Sequence, residues 1–450
     1  MKFHLIGVGG AGMNVVARLL SAEGHEVSGS DRDFSAVLQE LAAEGITTFV
    51  GHNTSHVPQD AIVVRSSAIK NTNPELAIAF QRGQEVWHRS EALAFAAGKR
   101  DFIAVAGAHG KTSTSAMIAR ALSALEAYPS WAIGGHLAGD EPGGHLGSGT
   151  VLVAEADESD GSFLNYEPRI ALVTNVEPDH LDHYGSAEAF AQAFVKFAQR
   201  IKPGGLLVCC TDDPGAAQLA YAARALGIRV TTYGIKPFEG DHCLITDIVS
   251  SNDAVSAHVM RGEQLVKIAL AVPGEHMMLN GVGAWIACCD LGFAPEDVAR
   301  ALAHFRGTGR RFELRGEVRG VRVIDDYAHH PTEVAATLNT ARSVSQGGVR
   351  VVFQPHLYSR TKNFANEFAH ALDLADEVIV TSVYAAREVP ADGVEGDAIV
   401  RYSSKAIYEP DMVTAGRRIA SQAVPGDLIL TMGAGSITTL VPTILSELDR

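Results

Sequence analysis

Two glycine-rich turns, each entered from an apolar β-type run and left through a helical one, constrain the fold of this 450-residue chain more than any other feature. The first is Gly7-Val8-Gly9-Gly10-Ala11-Gly12, between a strand from Phe3 to Gly9 and a helix from Met13 to Ala22. The second is Gly107-Ala108-His109-Gly110-Lys111-Thr112, between a strand from Phe102 to Ala106 and a helix from Ser113 to Leu125. Glycines in such turns let the backbone approach a phosphate, whose charge is favoured at the N-terminus of the following helix. Short apolar runs and amphipathic stretches alternate through most of the chain, which predicts an α/β fold with parallel sheets and crossover helices.

A chain of this length exceeds one hydrophobic core, and the length prior suggests about three domains. Residues 1–98 hold the first turn and read as a Rossmann-like domain. Residues 99–308 hold the second turn, further strands at Val151 to Ala154, Ile170 to Val173 and Leu206 to Val208, and hairpin-like alternation from Gly240 to about Val272. Residues 309–450 read as a second Rossmann-like α/β domain, entered through Gly307-Thr308-Gly309 as a plausible hinge. Its strands at Val321 to Ile324, Val349 to Phe353, Glu377 to Thr381 and Asp427 to Thr431 all end in polar or glycine-containing sequence, as a binding edge requires.

Charge narrows the partners. With 37 Lys and Arg against 52 Asp and Glu, the net charge of −15 argues against a nucleic-acid or anionic-membrane surface. A phosphate-bearing partner is then a small molecule in a local pocket. No apolar stretch approaches the ~18–20 residues that span a bilayer, and Met1 to Gly7 has no signal-peptide core, so a cytoplasmic protein is expected. Oligomeric state stays open. Cys209, Cys210, Cys243, Cys288 and Cys289 form no Cys-x-x-Cys pair and lie in apolar runs, which predicts buried free thiols.

The first turn, with Asp31 about twenty residues on to accept from a ribose hydroxyl, is compatible with a dinucleotide and so with an NAD-dependent oxidoreductase. A tight turn without ligand is the plain alternative. The second turn ends as Gly-Lys-Thr, but Val105 stands where a full P-loop has its first glycine. Its chemistry nonetheless suits ATP: backbone amides cradle phosphates, Lys111 reaches the β and γ oxygens, and Thr112 can ligate Mg²⁺. The strand at Val151 ends in Glu155-Ala156-Asp157-Glu158-Ser159-Asp160, four carboxylates that repel unless cations or hydroxyl-rich ligands compensate. An exposed acidic loop is the alternative to a Mg²⁺ site. The next strand ends in Asn175-Val176-Glu177-Pro178-Asp179-His180-Leu181-Asp182, where His180 can ligate a metal or orient a nucleophile.

Taken in order, Ile6 to Met13, Ser66 to Ile69, Gly107 to Thr112, Glu155 to Phe163, Asn175 to Asp182, Gly274 to Asn280, Arg310 to Glu313, Asp325 to Pro331 and Phe353 to Thr361 resemble the Mur ligases over essentially the whole chain. Asp325-Asp326-Tyr327-Ala328-His329-His330-Pro331 and the first glycine turn look most like the alanine-adding branch. The resemblance implies an N-terminal domain for a UDP-sugar, a central ATPase domain and a C-terminal domain for the incoming amino acid. It implies ATP and Mg²⁺ as cofactors, with UDP-N-acetylmuramate and L-alanine as substrates joined through an acyl phosphate; another amide ligase of the family, such as one recycling murein peptides, is the alternative.

Residue by residue, the resemblance implies ATP contacts at Gly107, Ala108, His109, Gly110, Lys111, Thr112, Ser113, Asn280, Arg310 and Asp325. Metal ligands would be Thr112, Glu155 and His180, and UDP-sugar contacts Gly9, Gly10, Ala11, Gly12, Asp31, Ser67, Glu158 and Ser159. Lys111, His180, His329, His330 and Arg360 would serve the reacting groups, with closure about the Gly307 region. Three positions depart from the pattern: Ala108 replaces a threonine, Met277 an asparagine, and Leu357 an arginine, which leaves Arg360 as the carboxylate anchor. Related ligases carry a carbamylated lysine near Lys196, and no such modification is assigned here.

Overall fold

The computed structural model describes residues 1–135, 137, 141–386, 388 and 394–450, with Ala11, Leu181 and Asp182 described by their backbone alone. The described residues form two compact units. The first comprises Met1–Asp247, Ala257–Ala269 and Leu279–Phe305; the second comprises Ile248–Ser256, Leu270–Met278 and Arg306–Arg450. The chain is α/β with three sheets, as its alternation predicts.

Five parallel strands open the first unit: β1 (Lys2–Ile6), β2 (Glu26–Asp31), β3 (Thr47–Val50), β4 (Ile62–Arg65) and β5 (Val86–His88). Helices α1 (Ala11–Ala22), α2 (Ala36–Ala43) and α3 (Pro74–Gln81) link them, and α4 (Arg89–Ala97) leads onward. Their order is β3-β2-β1-β4-β5, so the chain turns one way after β1 and the other way after β4. Open parallel sheets take ligands at that switch point. Here the first glycine turn and Ser66-Ser67 border it.

Glu75, fully buried on α3, ties this edge together. Its carboxylate accepts from the Asn53 amide at 3.0 Å and from the Ser30 hydroxyl. The ring nitrogens of His4, His52 and His56 lie 3.5, 3.3 and 3.2 Å from its oxygens. One carboxylate thereby joins β1, β2, the segment after β3 and α3.

The second sheet contains β6 (Asp101–Ala106), β7 (Ser130–Ala132), β8 (Gly144–His145), β9 (Val151–Glu155), β10 (Ile170–Val173), β11 (Leu206–Cys210), β12 (Val230–Gly234), β13 (His242–Ser250), β14 (Val255–Arg261) and β15 (Gln264–Leu270). Its order is β15-β14-β13-β12-β11-β10-β6-β9-β7-β8. Phe102 to Ala106, Ile170 to Val173 and Leu206 to Cys210 are buried without alternation, the pattern of strands covered on both faces. β14 alternates buried and wetter positions, as the sequence from Gly240 to about Val272 suggests. Cys209, Cys210, Cys243 and Cys288 are buried free thiols and Cys289 is partly buried, so no disulfide frame is present among them. Among the described residues no helix is long and apolar enough to cross a membrane.

In the second unit β16 (Glu313–Val318), β17 (Val321–Asp326), β18 (Val349–Phe353), β19 (Glu377–Val380), β20 (Ala406–Tyr408) and β21 (Leu428–Met432) lie in the order β16-β17-β21-β18-β19-β20. The four strands predicted to end in polar sequence are neighbours, and their pairings are parallel. β16 runs antiparallel to β17 and was not expected. It is largely exposed, down to Leu314, so it carries no apolar alternation for sequence reasoning to detect.

Burial alone would raise the Glu75 pKa, but hydrogen bonds from His4, Ser30 and the Asn53 amide outweigh it and hold the group at about 2, below its ordinary 4.5. A depressed folded-state pKa contributes stability above the unfolded value that is lost as pH falls through the folded one. Glu75→Gln is therefore expected to lower urea-unfolding stability by ~3 kcal/mol near neutrality. The gap to wild type should close between about pH 4.5 and about pH 2. An undiminished gap at the acid end would show that these partners do not hold the charge.

Candidate active site

The second glycine turn sits on a central strand. β6 pairs with β10 on one side and β9 on the other, so three strand ends lie side by side: the turn itself, Glu155 and Asn175. Gly107 has φ +128° and Gly110, at the N-terminus of the helix α5 (Lys111–Ala124), has φ +83°, conformations that disfavour any side chain. A Cβ on Gly107 would come 2.3 Å from Thr174 Oγ1, and one on Gly110 2.8 Å from Asn280 Oδ1. Asn175 clamps the turn by accepting from the His109 amide and donating to the His109 carbonyl, each at 3.0 Å. The His109 ring lies 3.2 Å from Glu177. Ala108, a departure from the family pattern, contributes its carbonyl to Lys111.

Lys111 curls back over the turn. Its ammonium donates to the Gly107 carbonyl at 2.5 Å, the Ala108 carbonyl at 3.3 Å and Glu158 Oε1 at 2.8 Å. Burial works against the charged ammonium, yet the charges of Glu158, Asp157 and Glu155 raise its pKa. Glu158 is also buried, and desolvation pushes it up to about 7 against the pull of Lys111. Thr112 and Ser113 follow in the first turn of α5, with Ser113 buried.

Each carboxylate after β9 has a separate partner. Glu155 Oε1 accepts from the Gly134 amide at 2.8 Å. Asp157 accepts from Arg89 Nη2 at 2.9 Å and from the Ser159 amide at 3.0 Å. Burial opposes the Asp157 charge, but Arg89 and Ser159 hold its pKa down. Asp160 accepts from the Ser67 hydroxyl and from the Ser162 amide at 2.9 Å, with His88 at 3.5 Å. Against its desolvation, these partners keep Asp160 well below the usual carboxylate range. Tyr184 donates to the Glu158 carbonyl. After β10, His180 takes a left-handed φ of +52°, and its backbone amide donates to Asp179 at 2.8 Å. Lys196 is exposed near the end of the helix Ala187–Gln199.

At the first turn, Asp31 accepts from the Gly9 amide at 2.8 Å and from the Arg32 amide at 2.7 Å. Oδ2 thus braces the turn against the end of β2, while Oδ1 is taken by the next residue along the chain. Gly10 is the N-cap of α1, and the side chain of Ala11 lies outside the described residues. Gly12 lines a cavity of about 280 Å³ together with Arg89, Lys111, Gly134, Glu155 and Asp157. The first turn, the lysine of the second and two of the clustered carboxylates therefore share one hollow. Arg89, in no sequence motif, reaches it from the start of α4.

The strand ends of the second unit gather a separate group. Asp325 is fully buried, accepting from Thr431 at 2.7 Å and Arg310 Nε at 3.2 Å, so it braces Arg310. Arg310 and Arg311 lie over the Tyr327 ring at 5.0 and 4.9 Å. The His329 amide donates to Glu333 at 3.0 Å. His330 is buried against Phe364 at 5.1 Å between ring centroids. Arg360, 6 % exposed, approaches His356 at 3.5 Å. Leu357 has φ +69°, a strained elbow for a branched side chain. Met277 is buried, and Asn280 lies on the same helix, Glu275–Asp290.

Sequence reading missed Arg89, the clamp that Asn175 makes on the turn and the pairing of Asp157, because each acts through a partner far along the chain. Gly107→Ala, which meets both the wrong φ and Thr174, is expected to weaken nucleotide binding by ~10-fold or more. Calorimetric titration with ADP measures this, and an unchanged affinity would show that the turn does not hold phosphates.

Three family models match in chain order: the Mur ligase family catalytic domain over residues 2–100, the Mur ligase middle domain over 105–288 and the Mur ligase glutamate ligase domain over 310–435. A UDP-N-acetylmuramate–L-alanine ligase of Kineococcus radiotolerans is 51% identical, covering 99% of this chain and 96% of its own. The protein of that name from Mycobacterium tuberculosis is 45% identical over 99% and 94%. Among solved structures, a UDP-N-acetylmuramate–alanine ligase of Thermotoga maritima superposes with a TM-score of 0.81 at 29% identity, covering 99% and 98%. A murein peptide ligase of Psychrobacter arcticus, at 0.72 and 23% over 100% and 99%, shares the fold. With all three models in order and near-complete coverage by close relatives, the chain belongs to the Mur ligase family.

Proposed function

We propose that this enzyme joins L-alanine to the lactyl carboxylate of UDP-N-acetylmuramate at the expense of ATP, in the cytoplasmic phase of peptidoglycan synthesis. The observation that carries the reading is the single strand edge holding the Gly107–Thr112 turn, Glu155 and the Asn175–His180 segment, in a chain so close to ligases of that name.

A free carboxylate is a poor acyl donor, and phosphorylation supplies its leaving group. A lactyl carboxylate oxygen attacks the γ-phosphorus of ATP, the bond to ADP breaks, and an acyl phosphate forms. The amine of alanine then attacks the acyl carbon, and phosphate departs with the bonding pair. Little covalent chemistry falls to the protein, whose work is positioning and charge neutralisation. Lys111 offsets charge on the β and γ oxygens, exchanging its present partners, the turn carbonyls and Glu158, for phosphate.

Thr112, Glu155 and His180 would hold Mg²⁺; the hydroxyl and carboxylate oxygens suit a hard cation, which would add positive charge at the phosphate oxygens. Glu155 fits the role, since only one of its oxygens takes a backbone amide. Within the first unit, Gly107 to Ser113 and Asn280 would serve the nucleotide, and Gly9 to Gly12, Asp31, Ser67, Glu158 and Ser159 the sugar nucleotide. In the second unit Arg360 offers the planar cation that alanine's carboxylate needs. His329 and His330, and His180 where it does not ligate the metal, are the imidazoles proposed to take the ammonium proton.

Phosphate release is expected only when ATP, Mg²⁺, UDP-N-acetylmuramate and L-alanine are all present, with a matching amide product. Lys111→Ala should abolish it while the protein stays folded by circular dichroism. Turnover with a peptide in place of alanine would move the enzyme elsewhere in the family, and near-normal turnover by the variant would remove Lys111 from its role.

A further inference from the structure

Arg89 sits where neither of the glycine turns nor any other motif explains it. It opens α4, yet its guanidinium lies against the first turn of α1: a Cβ on Gly12 would fall 1.9 Å from Nη1 and 3.0 Å from Cζ. The absence of a side chain at Gly12 is what admits the group. Of its five N–H donors, the hydrogen bond made among the described residues is the one from Nη2 to Asp157. Arg89 and Lys111 are the cations lining the 280 Å³ cavity; Lys111 is paired with Glu158, and Arg89 with Asp157 through one of its nitrogens.

We propose that Arg89 is the binding residue for the diphosphate of the sugar nucleotide, and that Asp157 holds the guanidinium aimed at the first turn of α1 until that diphosphate arrives. The inference rests on the sugar-nucleotide reading above. Three observations converge. A planar guanidinium with free donors matches phosphate oxygens two at a time. It lies at the N-terminus of α1, where amides and helix dipole already favour an anion. It also borders a cavity that a small molecule can enter. The proposal changes the meaning of Gly12, whose bareness serves the approach of the Arg89 side chain rather than that of the phosphate to the backbone.

The test compares wild type with Arg89→Ala, Arg89→Lys and Gly12→Ala. The last keeps the charge but displaces it, and its new methyl meets only the mobile end of a flexible side chain, so the fold is retained. Dissociation constants for UDP-N-acetylmuramate, UDP and ADP are read by calorimetry, with melting temperature alongside. Arg89→Ala and Gly12→Ala are each expected to weaken both uridine nucleotides by about 10- to 100-fold and to leave ADP affinity unchanged, with partial recovery in Arg89→Lys.

Equal losses for ADP, or a lowered melting temperature with unchanged uridine nucleotide affinity, would make Arg89 a structural brace and overturn the proposal. Weakened binding of UDP-N-acetylmuramate with normal binding of UDP would assign Arg89 to the muramyl carboxylate and overturn it as well. If wild type bound ADP but neither uridine nucleotide, the sugar-nucleotide reading itself would fall.

Discussion

The pairing of Lys111 with Glu158 is the interaction around which the first unit's chemistry is arranged. A partly buried ammonium and a buried carboxylate face each other at 2.8 Å across the ends of neighbouring strands β6 and β9. Desolvating both is costly, and the pair persists because turn carbonyls share the ammonium. Removing one partner of such a pair typically costs about 3–5 kcal/mol, since the other charge is stranded. In the proposed reaction the same ammonium would exchange these partners for phosphate oxygens without leaving its turn. A lysine held this way would be positioned before the proposed nucleotide arrives, which would limit the reorganisation the reaction demands.

Around that pair the acidic segment resolves its own repulsion. Four carboxylates between Glu155 and Asp160 take partners from four places: Gly134, Arg89, Lys111 and the Ser67–His88 pair. The expectation that cations or hydroxyl-rich ligands must compensate them is met in large part by the protein itself. Glu155 alone relies on a single backbone amide among these contacts, which marks it as the carboxylate with most capacity for an external cation. These partly buried ion pairs thus do two jobs here: they fix the strand-end loops and they leave the cavity lined by charges of both signs.

The second unit uses backbone strain in a comparable way. Arg310, Phe312 and Leu357 adopt positive φ values of 57°, 52° and 69°. The Asp326 carboxylate over-determines the first stretch by accepting from the Phe312 and Ala328 amides at 2.7 and 2.8 Å. Burial raises Asp326 to about 6 in spite of Arg311 and these amides. Strained residues of this kind persist only where surroundings hold them, and here they lie at or beside Arg310 and Arg360, the second unit's two arginines that the sequence suggests as ligand contacts.

Much was legible in the linear chain. The glycine turns, the Gly-Lys-Thr ending and the apolar runs before Glu155 and Asn175 established the sheet type, since strand–turn–helix order and unbroken burial leave period and composition signals. The order of motifs gave the family. Strand β16 escaped because it is exposed and carries no alternation. Asp31 and Asp325, read as ligand contacts, already serve as braces for Gly9 and Arg310, a role invisible without the fold. Arg89, 68 residues from its partner Asp157, had no local signature. The sequence by itself determined where the glycine turns and the clustered charges lie, because turn geometry and charge are local properties. Only the tertiary structure decided which carboxylate neutralises which cation, because those pairings depend on strand order, which sets distances that spacing along the chain does not encode.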